Sequence, residues 1–203
     1  MKAVFFDMDG VLIDSFQAWF STLNALLKHF GKKQWSSEEF IQRAWAKPFE
    51  DVAAEFFKGI DLNKIAEFYY GHLTGYAKKV KVFPVAPRLL SELQKRNITI
   101  AVVSNSYHQI TELMLKAAKL YDYCDLIIGG NEVKQGKPAP DMILLALKKL
   151  HLKKNEVIFI GDTIYDITAG KSAGVRTIGI GVQGDDRAEN LGEVFEKLCL
   201  QKE

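Results

Sequence analysis

Short apolar runs that alternate with helical patterns constrain the fold of this chain more than any other feature. Five such runs, rich in β-branched and aromatic residues, lie at 3–6, 98–103, 126–128, 157–160 and 176–180. They lack polar alternation, which is typical of strands buried on both faces of a parallel sheet. Amphipathic helical patterns lie between them, at 87–96, 107–119, 138–150 and 164–173. The sequence therefore predicts an α/β fold with a doubly wound parallel sheet.

One segment, residues 15–82, interrupts this alternation. It contains only helical patterns, at 16–30, 37–45, 50–57 and 62–79, and it holds all three tryptophans of the chain. Ser36 and Glu39 have the spacing of a capping box, and Asp61 stands where an N-cap residue precedes the fourth pattern. We expect two units: an α/β core formed by 1–14 plus 83–203, and a helical insertion at 15–82. The aromatic residues of the insertion, Trp19 among them, are expected to form mainly its own core.

Charge and composition exclude several classes of partner. With 27 basic and 25 acidic residues the net charge is only +2, which gives no electrostatic basis for binding nucleic acid or an anionic membrane. No apolar stretch approaches the ~20 residues that cross a bilayer. Cys124 and Cys199 have neither metal-ligand nor redox spacing, so we expect free thiols. Together with the lack of a leader pattern, this favours a cytoplasmic protein; the oligomeric state is left open.

Polar residues follow several of the predicted strands at the point where each strand ends. Ligands of open α/β sheets bind beyond the carboxyl ends of the strands, so these residues are expected to converge on one site. They are Asp7 and Asp9 after the first run, Ser104 and Asn105 after the second, and Asp162 with Asp166 after the fourth, together with Lys137 in a Gly-Lys-Pro sequence.

This set of residue types suits phosphate chemistry that depends on a metal ion. Clustered carboxylates are hard oxygen ligands of the kind that Mg²⁺ prefers. Ser104 and Asn105 directly precede a helical pattern, and the backbone amides of a helix N-terminus bind phosphate oxygens. Asp7 is placed to attack phosphorus as a nucleophile, and Asp9 to act as the general acid and base.

Four stretches resemble, in order, the four motifs of the haloacid dehalogenase superfamily. They are DMDGV at 7–11, the strand ending in Ser104-Asn105, Lys137 with Pro138 and Pro140-Asp141, and GDTIYD at 161–166. The sequence ITAGKSAG at 167–174 is similar to the phosphoglycolate phosphatase-like branch. The helical insertion looks like the α-helical cap of the family. Val85 and Asn97 stand where the family often has glycine, which concerns only local turns.

The resemblance implies a role for each site residue. It implies Mg²⁺ bound by Asp7, by the backbone carbonyl of Asp9 and by Asp162, with Asp166 in support. It also implies that Ser104 and Lys137 hold the phosphoryl group. In the cap, Arg43 and Lys47 are four residues apart and would share one face of a continuous helix, where they could meet a substrate carboxylate; a solvated charged face is the competing interpretation.

These residues predict an Mg²⁺-dependent phosphatase that hydrolyses a small phosphorylated metabolite, phosphoglycolate-like or a sugar phosphate, through an aspartyl-phosphate intermediate. The alternative is a phosphomutase of the β-phosphoglucomutase type, which uses the same core and differs in how well the cap excludes water. A dehalogenase has no use for Asp9 as an acid and base. A signalling receiver domain carries its acceptor aspartate on a mid-chain strand, and a purely binding protein would not need every catalytic position filled.

Overall fold

The computed structural model describes residues 1–76 and 80–200. Its strands are β1 (Ala3–Phe6), β2 (Ile13–Asp14), β3 (Lys81–Val82), β4 (Thr99–Ser104), β5 (Leu126–Gly129), β6 (Val157–Gly161), β7 (Arg176–Ile180) and β8 (Asp186–Ala188). Its helices are α1 (Phe16–His29), α2 (Ser37–Arg43), α3 (Phe49–Phe56), α4 (Leu62–Tyr76), α5 (Ala86–Lys95), α6 (His108–Ala117), α7 (Asp141–Lys149), α8 (Ile164–Ala173) and α9 (Leu191–Phe195).

Six of these strands form one parallel sheet in the order β5-β4-β1-β6-β7-β8. The chain builds outward from β1 through β4 and β5, and then on the other side through β6, β7 and β8. The strand order therefore reverses beside β1, where open α/β sheets bind their ligands. Ala3 of β1 aligns with Thr99 of β4 and with Val157 of β6. The residues that follow these three strands consequently meet at one edge, and the predicted fold class is confirmed.

The sheet is buried on both faces by apolar side chains. On β1, Val4 and Phe6 point into one apolar cluster, and Ala3 and Phe5 point into the other. Alternate residues of a strand face opposite sides, so a strand without polar alternation requires helices on both sides. The buried side chains of α1–α4 belong to the same cluster as Val4 and Phe6. The core of the helical insertion is thus continuous with one face of the sheet.

The described residues from Ser15 to Tyr76 contain the helices α1–α4, as predicted, and two very short strands that the sequence did not reveal flank this segment. β2 and β3 pair antiparallel, with Ile13 opposite Val82, at the points where the chain enters and leaves the insertion. The capping box of Ser36 and Glu39 is present, and Asp61 accepts hydrogen bonds from two backbone amides of α4. The last three residues of the predicted helix at 62–79 lie outside the described residues.

The backbone accommodates the two local departures from the resembled family. Asn97 has a left-handed conformation with φ 56°, which asparagine tolerates better than most residues. Val85 is in the right-handed helical region, so no glycine is required at this position.

Cys124 and Cys199 are free thiols, as expected. In the part of the chain that the structure describes, no helix is both long and apolar enough to cross a membrane.

Candidate functional site

A buried ammonium group joins the ends of three strands. Lys137 Nζ donates hydrogen bonds to Asp7 Oδ1 at 2.6 Å, to Asp166 Oδ1 at 2.6 Å and to the carbonyl oxygen of Val103 at 3.0 Å. Asp7 follows β1, Asp166 lies in α8 just after β6, and Val103 belongs to β4. All three side chains of the ion pair network are buried. Since an unpaired charge is costly to bury, these charged groups are tolerated in the interior only as a set.

Three carboxylates converge beside this ammonium group. Asp7, Asp162 and Asp166 each offer an oxygen atom, and these oxygens lie within 4.8 Å of one another. Among the described residues, Asp162 Oδ1 is buried without a hydrogen-bond partner, which is unfavourable unless another positive group binds there. When ionised, the three carboxylates and one ammonium leave two net negative charges. The donor set and the unpartnered oxygen fit a divalent cation with oxygen ligands.

Glycines make room for this cluster of acidic residues. Gly10 has a positive φ of 82°, and a Cβ atom there would lie 2.0 Å from Asp162 Oδ2. A Cβ atom at Gly161 would lie 2.1 Å from Asp166 Cβ. Asp166 is held from its other side by Thr163, whose backbone N–H donates to Asp166 Oδ2 at 3.1 Å and whose hydroxyl group donates at 2.5 Å. The predicted Asp166 is therefore oriented by both Lys137 and Thr163.

The carboxylate of Asp9 has a separate set of partners. Its Oδ1 atom accepts a hydrogen bond from the hydroxyl group of Ser15 and another, at 2.8 Å, from Trp19 Nε1. Trp19 lies in α1, within the helical insertion. Sequence reasoning assigned Trp19 to the core of the insertion, and its indole is buried there, but it also reaches the site. The position of Trp19 in the helical pattern does not indicate, from the sequence alone, that its indole also donates a hydrogen bond to Asp9.

Two of the predicted phosphate-binding residues lie at the carboxyl end of β4: Ser104 is its last residue, and Asn105 follows it. Ser104 is buried, and its hydroxyl oxygen accepts a hydrogen bond of 3.1 Å from the backbone amide of Ser106. The side chain of Asn105 is engaged with backbone groups: Oδ1 accepts from the Lys137 amide at 2.7 Å, and Nδ2 donates to the carbonyls of Lys137 and Ala46 at 3.0 Å. Asn105 thus fixes the Lys137 loop and joins it to the helical insertion.

A cavity of about 80 Å³ lies above these residues, between the sheet edge and the helical insertion. The insertion lines it mainly with apolar and aromatic side chains: Trp19, Leu23, Leu26, Phe40, Trp45, Phe49, Val52, Phe57, Tyr69 and Tyr70. Lys47 also lines it. The helix α2 ends at Arg43, and the guanidinium group of Arg43 lies 5.4 Å from the ring centroid of Trp35. Arg43 and Lys47 therefore do not share one face of a continuous helix.

Burial changes the proton affinity of the acidic residues. Burial raises the pKa of Asp7; Lys137 opposes this effect, and the neighbouring carboxylates of Asp166 and Asp162 add to it. Burial also raises the pKa of Asp9, against the hydrogen bonds from Ser15 and Trp19. The pKa of Asp162 rises to about 7, chiefly through burial and the charge of Asp166. The three raised pKa values show that the ionised carboxylates are disfavoured. A cation bound beside them would favour the ionised forms and lower these pKa values.

Comparison with known proteins identifies the family. The model of the haloacid dehalogenase-like hydrolases matches residues 4–180, and the chain belongs to this family. A phosphoglycolate phosphatase of Aquifex aeolicus is 30% identical over 180 residues, which cover 87% of this chain and 83% of that protein. The pyrophosphatase PpaX of Bacillus mycoides is 27% identical over 188 residues, covering 89% of this chain and 83% of its own.

A solved structure supports the fold assignment. CbbY from Rhodobacter sphaeroides, crystallised in complex with phosphate, superposes with a TM-score of 0.87 at 20% identity and covers 96% of each chain. At that identity the likeness concerns the fold alone. The family match and the names of the relatives confirm the prediction that the chain is a hydrolase of the phosphatase class.

The raised pKa of Asp162 predicts how stability depends on pH. Its pKa of about 7 in the folded state lies above the ordinary value of 3.8, so the folded state binds the proton more tightly than the unfolded state does. The stabilisation is fully present below about pH 4 and is lost progressively as pH rises to about 7. Without added metal, the Tm of wild type relative to Asp162→Asn should fall between about pH 4 and pH 7 and change little at higher pH. Scanning fluorimetry measures this difference.

Magnesium supplies the control for that measurement. Added Mg²⁺ should raise the Tm of the wild type more at the higher pH, where Asp162 is ionised, and should raise that of Asp162→Asn much less. A Tm difference between the two proteins that is independent of both pH and Mg²⁺ would contradict this account.

Gly10→Ala should destabilise the protein and weaken its binding of Mg²⁺, because the new Cβ atom would displace Asp162. Gly59→Ala is a matched control, since Gly59 has a φ of 80° and no atom of the described residues beyond its chain neighbours lies within 4 Å of the position that a Cβ would take. Both variants should lose about 1–2 kcal/mol of unfolding free energy to left-handed strain. Only Gly10→Ala should lose more unfolding free energy than this. It should also be the only one of the two variants whose Tm no longer rises when Mg²⁺ is added. Equal effects in chemical denaturation and in Mg²⁺ titration would argue against the proposed packing.

Proposed function

We propose that this protein is an Mg²⁺-dependent phosphatase that hydrolyses a small phosphorylated metabolite through an aspartyl-phosphate on Asp7. One observation carries the proposal: Asp7 is buried at the end of the central strand, in contact with Lys137 and within a cluster of carboxylates, below a cavity. An isolated carboxylate in this position would be destabilising. Its placement is understandable if it reacts with an anionic phosphate in the presence of a cation.

The carboxylates of Asp7, Asp162 and Asp166, with the backbone carbonyl of Asp9, are the groups proposed to hold Mg²⁺. When bound, the ion supplies positive charge that lets the phosphate dianion approach these carboxylates. Lys137 supplies a fixed positive charge. Its three N–H groups are satisfied by Asp7, Asp166 and Val103, so it also orients the two carboxylates. Hydroxyl and backbone N–H groups at Ser104 and Asn105 are proposed to bind the phosphate oxygens.

The first chemical step forms a bond from an Asp7 carboxylate oxygen to phosphorus while the bond to the leaving oxygen breaks. Asp9 is proposed to give its proton to that leaving oxygen. In the second step, Asp9 takes a proton from the water that attacks the aspartyl-phosphate, which releases phosphate and restores Asp7. Its raised pKa favours the protonated form that the first step requires.

The helical insertion at 15–82 is proposed to act as a cap over a core formed by 1–14 plus 83–203. Its side chains line the cavity above Asp7, which restricts access to compact substrates. Relatives are named for phosphoglycolate and pyrophosphate, and we propose a phosphoglycolate-like compound or a sugar phosphate as substrate. The protein is proposed to act in the cytoplasm.

Replacement of the nucleophile tests the proposal most directly. Asp7→Asn should lower kcat for p-nitrophenyl phosphate by about 10³-fold or more, because the amide cannot form the phosphorylated intermediate. EDTA should abolish the wild-type activity, and added Mg²⁺ should restore it. Asp14→Asn, the same change at an exposed aspartate, should leave the rate unchanged. Undiminished turnover by Asp7→Asn would eliminate Asp7 as the nucleophile.

Product analysis distinguishes hydrolysis from phosphoryl transfer. With sugar phosphates, a phosphatase releases one equivalent of inorganic phosphate for each molecule consumed, since water accepts the phosphoryl group. Phosphorus NMR and a phosphate assay on the same samples should therefore agree. Conversion of one sugar phosphate isomer into another without release of phosphate would instead indicate the phosphomutase.

A further inference from the structure

The carboxylate proposed as general acid is held in part by the helical insertion. Ser15 and Trp19 both donate hydrogen bonds to the same oxygen of Asp9, Oδ1. Two donors on one oxygen restrict rotation of the carboxylate about its bond to Cβ. They also favour protonation on the other oxygen, Oδ2, because Oδ1 already accepts two hydrogen bonds. The position of the exchangeable proton therefore depends on the two donors.

Trp19 is itself fixed by aromatic packing that crosses the insertion. Its ring centroid lies 5.7 Å from that of Tyr69, which stacks at 5.0 Å on Phe49. Phe49 lies 6.1 Å from Tyr107, a residue of the loop after β4, and the Tyr107 hydroxyl donates to Glu50 at 2.7 Å. This row of aromatic rings connects Asp9 with Tyr107, and both of these residues lie outside the insertion. The packing of the insertion against the sheet therefore sets the position of the Trp19 indole N–H.

We propose that Trp19 is a positioning residue for Asp9, which makes protonation of the leaving group depend on a side chain of the cap. The inference rests on the proposed function, since it assigns how the acid of that reaction is oriented. Trp19 donates no proton to the substrate. It holds Asp9 so that the proton on Oδ2 passes to the leaving oxygen as the bond from Asp7 to phosphorus forms and the bond to that oxygen breaks.

The reactivity of the leaving group separates this role from a merely structural one. An alkyl phosphate expels a strongly basic alkoxide and requires the proton, whereas p-nitrophenolate is stable without it. The ratio kcat/KM reports the steps up to the first irreversible one, here the transfer of the phosphoryl group to Asp7. A misplaced Asp9 should therefore lower kcat/KM for alkyl phosphates selectively.

The experiment compares kcat/KM of wild type and Trp19→Phe, with Mg²⁺ present, for p-nitrophenyl phosphate, phosphoglycolate and glucose 6-phosphate. Phenylalanine keeps an aromatic ring and removes the N–H donor. We expect a loss of about tenfold or more for the better alkyl ester and of less than about threefold for p-nitrophenyl phosphate. Trp19→His, which retains a ring N–H group, should recover part of the alkyl activity.

Control variants make each outcome decisive. Trp35→Phe, the same change in the insertion at a tryptophan that does not line the cavity, should alter neither rate. Ser15→Ala removes the other donor and should shift the ratio of alkyl to aryl rates in the same direction. If Trp19→Phe fails to fold, Trp19→Leu, which also removes the N–H donor, replaces it in the comparison with Trp19→His. Equal losses for both classes of ester in these variants would overturn the inference. Absence of turnover in the wild type would overturn the proposed function, and the inference with it.

Discussion

The structure of the site depends on the buried contact between Lys137 and the carboxylates of Asp7 and Asp166. Asp7 and Lys137 are separated by 130 residues along the chain, and their charges are stable in the interior only when they are together. Such a network contributes little net stability, since desolvation offsets the attraction between the charges. Its effect is specificity: the ends of β1, β4 and β6 must align for the charges to be satisfied.

The same network leaves an imbalance that the proposed chemistry can use. Three clustered carboxylates face one ammonium group, one carboxylate oxygen lacks a partner among the described residues, and burial raises the pKa of Asp7, Asp9 and Asp162. A site shaped by stability alone would lack the excess of carboxylates, the unpartnered oxygen and the raised pKa values, because each of them costs free energy. Perturbed acids of this kind are typical of functional sites. The fold tolerates these acidic residues because the parallel sheet beside them is buried and apolar on both faces.

The helical insertion both lines the cavity and makes hydrogen bonds with residues of the site. Trp19 of α1 holds Asp9, and the carbonyl of Ala46 accepts a hydrogen bond from Asn105 on the opposite side. These two contacts join the insertion to the loops that carry the candidate acid and the candidate phosphate-binding groups. The geometry of the acid and the enclosure of the cavity therefore depend on the same packing between insertion and sheet.

Sequence alone determined the five predicted strands, the helical nature of the segment from Ser15 to Tyr76, the capping residues and the set of polar residues at the strand ends. These features depend on side-chain periodicity and turn chemistry within a few residues, and four ordered motifs identified the family. Tertiary structure alone decided the pairing of β2 with β3, the eighth strand, the backbone contacts of Asn105, the separation of Arg43 from Lys47 and the contact of Trp19 with Asp9. Two- and three-residue strands carry too little pattern to recognise, and the hydrogen-bond partner of a buried indole depends on how distant segments pack, which no local pattern records.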